Sequence, residues 1–183
     1  KLKNKNLIEK SKQLFDRAYK KINELMSLRG KAFTIMGLYY AYKKSPEKRY
    51  LQKIKSLSNE IIESFFENSS DKWTWFEESM TYDNAKLPEA LFMAYDLTNI
   101  GIYRDVAERT LHFLSDITFE GDELSPIGQN GWFNKEGKRS FFDQQPIDAA
   151  AMVHAYLTAY LITHDKHYYE KAVLAFNWFL GQN

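Results

Sequence analysis

The segment Ala94-Tyr95-Asp96-Leu97-Thr98-Asn99-Ile100-Gly101-Ile102-Tyr103, with Ala107 four residues on, decides the fold because it recurs in altered form. Ala41-Tyr42 precedes Tyr50 and Ile54, and Ala159-Tyr160 precedes Tyr168 and Ala172. In each copy the second Tyr follows the first by eight residues. A small or apolar residue comes four positions later. This spacing reads as a helix, a tight turn and a returning helix. The third copy aligns equally well through Ala155-Tyr156, about one helical turn earlier. Periods of 53 and 65 residues are too long for tetratricopeptide or ankyrin arrays. Stacked hairpins of this size suit an α-solenoid or a closed α/α toroid, in which one helix of each pair lines an inner face. The expected fold class is therefore all-α.

Outward from the repeat, apolar residues recur at helical spacing. Ile8, Phe15, Tyr19, Ile22 and Met26 mark one stripe, with Arg29-Gly30 as its expected end. Phe33, Met36, Tyr39 and Tyr40 mark a second helix. Ser45-Pro46-Glu47 reads as a stop and restart, with Ser45 as N-cap and Pro46 in the first turn. Leu51, Ile54, Leu57, Ile61, Ile62 and Phe65 line a third helix, broken at Asn68-Ser69-Ser70-Asp71. Further helices are expected at about 87–97, 103–114, 146–163 and 168–180. Only three Val occur, and no turn signal stands between alternating apolar runs, so strands are not expected.

The 183 residues fit one domain, with 29 aromatic residues to fill its core. Zero Cys excludes disulfides, thiolate zinc sites, iron–sulfur clusters and a Cys nucleophile, and suits a reducing, cytoplasmic setting. No apolar run reaches the roughly 18 residues that span a bilayer. The chain opens KLKNKN without a signal segment, although a first residue of Lys rather than Met leaves a removed leader open. Residues 1–55 carry 16 Lys/Arg against 4 Asp/Glu, whereas residues 56–183 carry 9 against 20. Only Phe15 and Tyr19 lie among the charges of residues 1–31, so solvated or internally paired basic helices are favoured over a nucleic-acid partner. The division expected is a basic stretch of hairpins, 1–72, and a motif-bearing part, 73–183, within one domain.

Two segments depart from the repeat. One is Trp73-Thr74-Trp75-Phe76-Glu77-Glu78 with Thr81-Tyr82-Asp83-Asn84; the other runs from Glu120 to Gln145. Irregular connections beyond about 12–15 residues are uncommon in compact domains and are often functional. Both feed the start of a helix, so in a hairpin array both emerge at the same end. Their Trp, Asp, Asn and Gln content suits a saccharide: flat C–H faces stack on aromatic rings while amides and carboxylates bind hydroxyls. Glu77, Asp83 and Asp143 are the candidate acid/base carboxylates, since glycosidic cleavage uses two. Trp75 and Trp132 are candidate stacking platforms, and Asn84, Gln144 and Gln145 candidate hydroxyl ligands.

Structural roles compete with each assignment. Asp83 and Asp143 each precede a helix with Pro near its first turn and suit N-caps. Trp73, Trp75 and Trp132 equally suit the core, and Gly128 and Gly131 serve a turn. His164-x-x-His167 has metal-like spacing but lies in an interhelical turn with only Asp165 near. No cofactor or metal is expected, and there is no P-loop, nucleophile elbow, HExxH or GxGxxG. An epimerase-like toroid would want a catalytic His, which neither segment supplies.

Four runs carry a family resemblance: Trp73-x-Trp75-Phe76-Glu77-x-x-x-Thr81-Tyr82-Asp83-Asn84-Ala85-x-Leu87-Pro88-x-Ala90, Ser125-Pro126-Ile127-Gly128-x-x-Gly131-Trp132, Phe142-Asp143-Gln144-Gln145-Pro146 and Phe176-x-Trp178-Phe179-Leu180-Gly181-x-Asn183. In this order they resemble a bacterial and archaeal α/α-toroid domain of the six-hairpin glycosidase-like superfamily, found alone or attached to glycosyltransferases. Lys86 stands where Arg is common in that family, and Asp148 where Glu is common. The resemblance implies a toroid and a carbohydrate-related role, without established catalytic residues. It also implies a partial copy of about three to four of six hairpins, because relatives continue past the last run. The expected function is glycoside hydrolase-like, acting on or binding a saccharide at the loop end. The alternatives are a non-catalytic saccharide-binding or accessory module of a glycosyltransferase, and a helical scaffold for protein partners. Expected partners are a saccharide and either a glycosyltransferase domain or another chain completing the ring.

Overall fold

A computed structural model describes residues 4–182. The first three residues of the basic KLKNKN opening, and Asn183 of the last motif, lie outside the described residues. Among those described, seven α-helices follow in order: α1 Lys5–Tyr19, α2 Leu28–Lys44, α3 Lys48–Asn68, α4 Lys86–Thr98, α5 Gly101–Thr118, α6 Pro146–Thr163 and α7 Lys166–Asn177. Helix α2 pairs with α3, α4 with α5 and α6 with α7, while α4 lies between α2 and α6. The result is an inner row α2-α4-α6 backed by an outer row α3-α5-α7, the layering of an α/α toroid. Three complete hairpins are present, and α1 adds to the outer row by packing Phe15 and Tyr19 edge-on against Tyr50 of α3.

The repeated tyrosines explain the register. Each returning helix begins six residues after the first Tyr, and the second Tyr is its third residue, buried in every copy: Tyr50, Tyr103 and Tyr168. In the second and third copies its hydroxyl reaches the preceding outer helix, whereas the Tyr50 hydroxyl accepts from Arg49 of its own helix at 3.0 Å. Tyr103 donates to Asn59 of α3 at 2.6 Å, and Tyr168 meets His112 of α5 at 3.4 Å. Asn59 and His112 are themselves equivalent positions of the repeat. The Ala159-Tyr160 alignment is thus the one the fold uses. Helices α4 and α6 end on left-handed caps, Asn99 and His164, whose N–H groups bond the carbonyls of Tyr95 and Tyr160. Pro46 occupies the corresponding place after Tyr42 and has no N–H to give. Helix α2 therefore stops one residue earlier, with Ser45 N–H on the Ala41 carbonyl at 2.9 Å.

Several local expectations need correction. Arg29-Gly30 does not end the first helix; it lies in the first turn of α2, whose N-cap Ser27 accepts the Gly30 N–H. The first stripe is broken instead by a short 3-10 turn at Ile22–Glu24, and Ile8 and Met26 are exposed. Ser45 closes α2 rather than capping α3, which Glu47 precedes. On α2 the buried residues are Arg29, Ala32, Ile35 and Leu38, while Phe33 and Tyr40 face outward. Strand-like pairing does occur, in two-residue ladders. Met80 and Ser79 pair with Phe133 and Asn134, and Phe119 and Glu120 pair with Leu124 and Glu123.

Helix α4 is the centre of the core. Every residue from Lys86 to Ala94 is buried, because neighbours lie on both sides of it and α5 lies behind. Ile54, Ile61 and Phe65 of α3 and Leu111 of α5 seal the outer layer, each fully buried. Burying side chains of this size is worth about 1.5–3 kcal/mol apiece. No helix among the described residues is long and apolar enough to cross a membrane.

Candidate functional site

The N-termini of α2, α4 and α6 share one end of the inner row, so the segments that precede them meet there. The meeting is physical. The ladder between Ser79-Met80 and Phe133-Asn134 joins the two irregular segments, and Lys135 N–H donates to the Glu78 carbonyl at 2.8 Å. Ser125, Ile117 and Phe141 gather around Arg139, whose guanidinium donates to the carbonyls of Ile117 and Ser125 and stacks 4.4 Å from the Phe141 ring. Gly128 is required by close approach, since a Cβ there would overlap the Phe142 backbone.

Among the described residues, five other than glycine adopt positive φ. Asn99 and His164 are the helix caps described above. The other three, Asp83, Trp132 and Asp143, are all candidate site residues, with φ of 56°, 57° and 60°. Such conformations carry a strain cost and concentrate at functional sites.

Asp83 and Asp148 form the chemical centre. The Asp83 N–H donates to Asp148 Oδ1 at 2.7 Å across 65 residues of sequence. Both residues are buried, 3% and 6% exposed, and Asp83 Oδ1 and Asp148 Oδ2 have no hydrogen-bond partner among the described residues. Burial pushes the Asp148 carboxyl up to about 7, and the neighbouring Asp83 charge adds to this. The Asp83 N–H and Arg29 oppose it only partly. Burial also raises Asp83, with Lys86, Arg29 and His154 pulling it back. A pair so arranged holds one proton more readily than none. A cavity of about 10 Å³ beside Asp148, lined also by Asn84, Thr118 and Met152, has room for roughly one water.

Arg29 supports this centre from α2. Its guanidinium donates to the Tyr82 carbonyl at 2.5 Å, to Glu77 Oε2 at 2.7 Å and to Asn84 Oδ1 at 2.9 Å, and lies 5.2 Å from the Tyr82 ring centroid. Glu77 is therefore an ion-paired carboxylate next to the Asp83 segment. The amide of Asn84 is spent on Arg29 and on both backbone groups of Thr81. Neither Asp83 nor Asp143 is a helix cap: Ala85 precedes α4 and Gln145 precedes α6. Asp143 is exposed and forms no ion pair among the described residues.

The aromatic candidates divide. Trp75 is fully buried, with Trp73 beside it at 2% exposure, and both are core residues. Trp132 is half-buried, and its ring lies 6.5 Å from that of Tyr82, which is 47% exposed. That pair presents an aromatic surface next to Asp83. Gln144 bridges Ser125 and Trp178, and Gln145 donates to Gln129, so both amides tie the loop together. Arg29 and Asp148 were not singled out from sequence as site residues. The one signal for position 148 was its departure from the family pattern. His164 caps α6 and His167 lies in the first turn of α7, both exposed, so the expected turn holds only the first of them.

No protein-family profile matches the chain, and no curated protein matches it. Among solved structures it resembles an unsaturated glucuronyl hydrolase from Streptcoccus agalactiae, with 15% identity and a TM-score of 0.62 over 97% of this chain. The likeness establishes the class of fold: an all-α, toroid-like array of helical hairpins. The chain spans 46% of the length of that hydrolase, about half of it.

Proposed function

We propose that the chain carries a glycoside hydrolase-like saccharide site centred on Asp83 and Asp148. The observation that supports this best is the Asp83–Asp148 contact at the loop end of the inner helices, where both residues are buried and each has a buried carboxyl oxygen without a partner among the described residues. Asp148, protonated near neutrality, is the general acid that delivers a proton to the leaving glycosidic oxygen or to an equivalent acceptor on the sugar. Asp83, the more readily ionised member, stabilises positive charge on the sugar ring and orients the attacking water. Tyr82 and Trp132 form the stacking platform. Trp75, Asn84, Gln144 and Gln145 then act behind the sugar, by holding the segments that carry these groups. Glu77 fixes Arg29, and Asp143 is kept as a hydroxyl ligand or rival acid at the exposed rim.

The test is turnover on a panel of neutral and uronate-containing oligosaccharides by the wild type and by D83N, D148N, D143N and E77Q. Loss in D83N and D148N, with D143N and E77Q active, fits this assignment; full activity in D148N removes it. The Tyr82–Trp132 pair, with Tyr82 exposed, also favours a second reading, a non-catalytic saccharide-binding module serving a glycosyltransferase. Calorimetric binding without product release would select that reading. A partial ring completed by further hairpins, in a cytoplasmic setting, belongs to this proposal as well.

A further inference from the structure

Among the seven helices described, α1 alone has no buried residue. It is held at its C-terminal end, where Phe15 and Tyr19 meet Tyr50 and the Tyr19 hydroxyl donates to the Arg49 carbonyl at 3.3 Å. Towards its N-terminus, Leu7 and Leu14 are 48% and 64% exposed. They stand seven residues apart, two turns along one face, and Ala18 continues that face. Met26, in the link to α2, is 88% exposed. Single exposed apolar residues need no explanation, but a row of them marks an interaction site.

Ala18 leads into a cavity of about 320 Å³ between α1 and α2, within the size range of ligand pockets. Phe15, Tyr19, Ile22 and Leu25 wall one side, and Gly37 and Leu38 the other. Gly37 stands in the middle of α2, where glycine costs helix stability relative to alanine. No tight packing requires it, since a Cβ there would meet nothing within 4 Å. Its effect is to leave the α2 side of the cavity bare.

The charge around this apolar surface is mostly of one sign. Residues 5–21 hold six Lys/Arg against Glu9 and Asp16. Lys10 and Arg17, again seven apart, run beside the leucine stripe, with Lys12 on its far side, and all three are exposed. An apolar stripe bordered by exposed cations suits a helix lying in the interface of an anionic bilayer, where long basic side chains reach the headgroup phosphates. A nucleic acid would use the charge and leave the leucines in water. A second copy of the same face would bring like charges together.

We infer that α1 and the cavity behind it form a docking surface for an anionic phospholipid bilayer. Leu7 and Leu14 enter the acyl region, Lys10, Lys12 and Arg17 meet headgroup phosphates, and an acyl chain occupies the cavity beside Gly37. Nothing in this surface depends on the chemistry of Asp83 and Asp148.

The experiment is co-sedimentation of the full chain with vesicles of phosphatidylcholine alone and of phosphatidylcholine mixed with phosphatidylglycerol. Binding is expected to the anionic vesicles, weakening as salt is raised, with little to the neutral ones. L7S/L14S and K10E/K12E should each weaken it by at least about tenfold, and G37N, which puts a polar amide on the cavity wall, by roughly threefold. All five positions are exposed, and far-ultraviolet circular dichroism checks that each variant is folded. Absence of wild-type binding to the anionic vesicles overturns the inference, as does undiminished binding by L7S/L14S or by G37N. A dimer in light scattering that L14S dissociates, with no vesicle binding, would assign the face to a second copy and overturn it equally.

Discussion

The backbone N–H of Asp83 is bonded to the carboxyl of Asp148 at 2.7 Å, joining the segment before α4 to the first turn of α6. The contact links local backbone shape to chemistry. Asp83 must adopt its left-handed φ of 56° to aim its N–H at α6, and in doing so it brings a second carboxyl beside the first. Neither group is then well solvated, and the pair becomes reluctant to lose its last proton.

Stability should therefore depend on pH through Asp148. Its carboxyl is raised from 3.8 to about 7 on folding, so between those values the folded protein holds a proton that the unfolded chain has released. Stability from this group is complete below about pH 4 and is lost as pH rises through 7. The loss is on the order of 4 kcal/mol at the upper end. D148N should flatten the dependence of Tm on pH across this window and should be more stable than wild type at pH 8. Parallel Tm–pH curves for the two proteins would contradict it.

Arg29 holds the Tyr82–Asn84 turn that places Asp83. Replacing it with Met removes three hydrogen bonds and leaves the Glu77 carboxylate beside an apolar side chain. The expected cost is about 3 kcal/mol in urea unfolding. R29K should recover only part of it, because an ammonium cannot reproduce the fork of a guanidinium.

Trp75 and Trp132 should separate by assay. W75A empties a fully buried position and should cost about 3–5 kcal/mol. W132A, at a half-buried position, should cost about 1 kcal/mol and weaken saccharide binding by roughly tenfold in calorimetry. Equal binding by W132A and wild type would remove Trp132 from the platform.

Gly128 tests whether the long loop is built around one backbone crossing. G128A places a Cβ on the Phe142 backbone, which cannot yield as a flexible side chain would. A loss of about 1–3 kcal/mol is expected. The fluorescence of Trp132 should change with it, because Trp132 N–H is bonded to the Gly128 carbonyl.

The parts of the fold legible in the sequence were those set by local periodicity. Tyr95 and Tyr103, with their counterparts, mark each hairpin because one closes the first helix and the other anchors the second. The convergence of the two irregular segments also followed, since both precede inner helices. Arg29 was hidden because Arg-Gly commonly follows a helix, and its partners Tyr82 and Asn84 lie more than 50 residues away. Asp148 looked ordinary for a similar reason. A carboxylate in the first turn of a helix needs no explanation beyond the helix dipole, and its displacement toward pH 7 depends on Asp83 and on burial, which no local pattern reports. Conversely, the irregular segment around Trp75 predicts a stacking residue. The 3.6-residue rule that identifies core positions does not operate there, and the tryptophan turned out to be core.

The proposed function stands on Asp148 as the acid of a saccharide-cleaving pair. The most direct measurement is glycan cleavage by D148N against wild type and D143N, on the same oligosaccharides and with folding verified for each. A loss of about 10²–10⁴-fold in D148N and near wild-type turnover in D143N are expected. Undiminished cleavage by D148N, with activity lost in D143N, would contradict it.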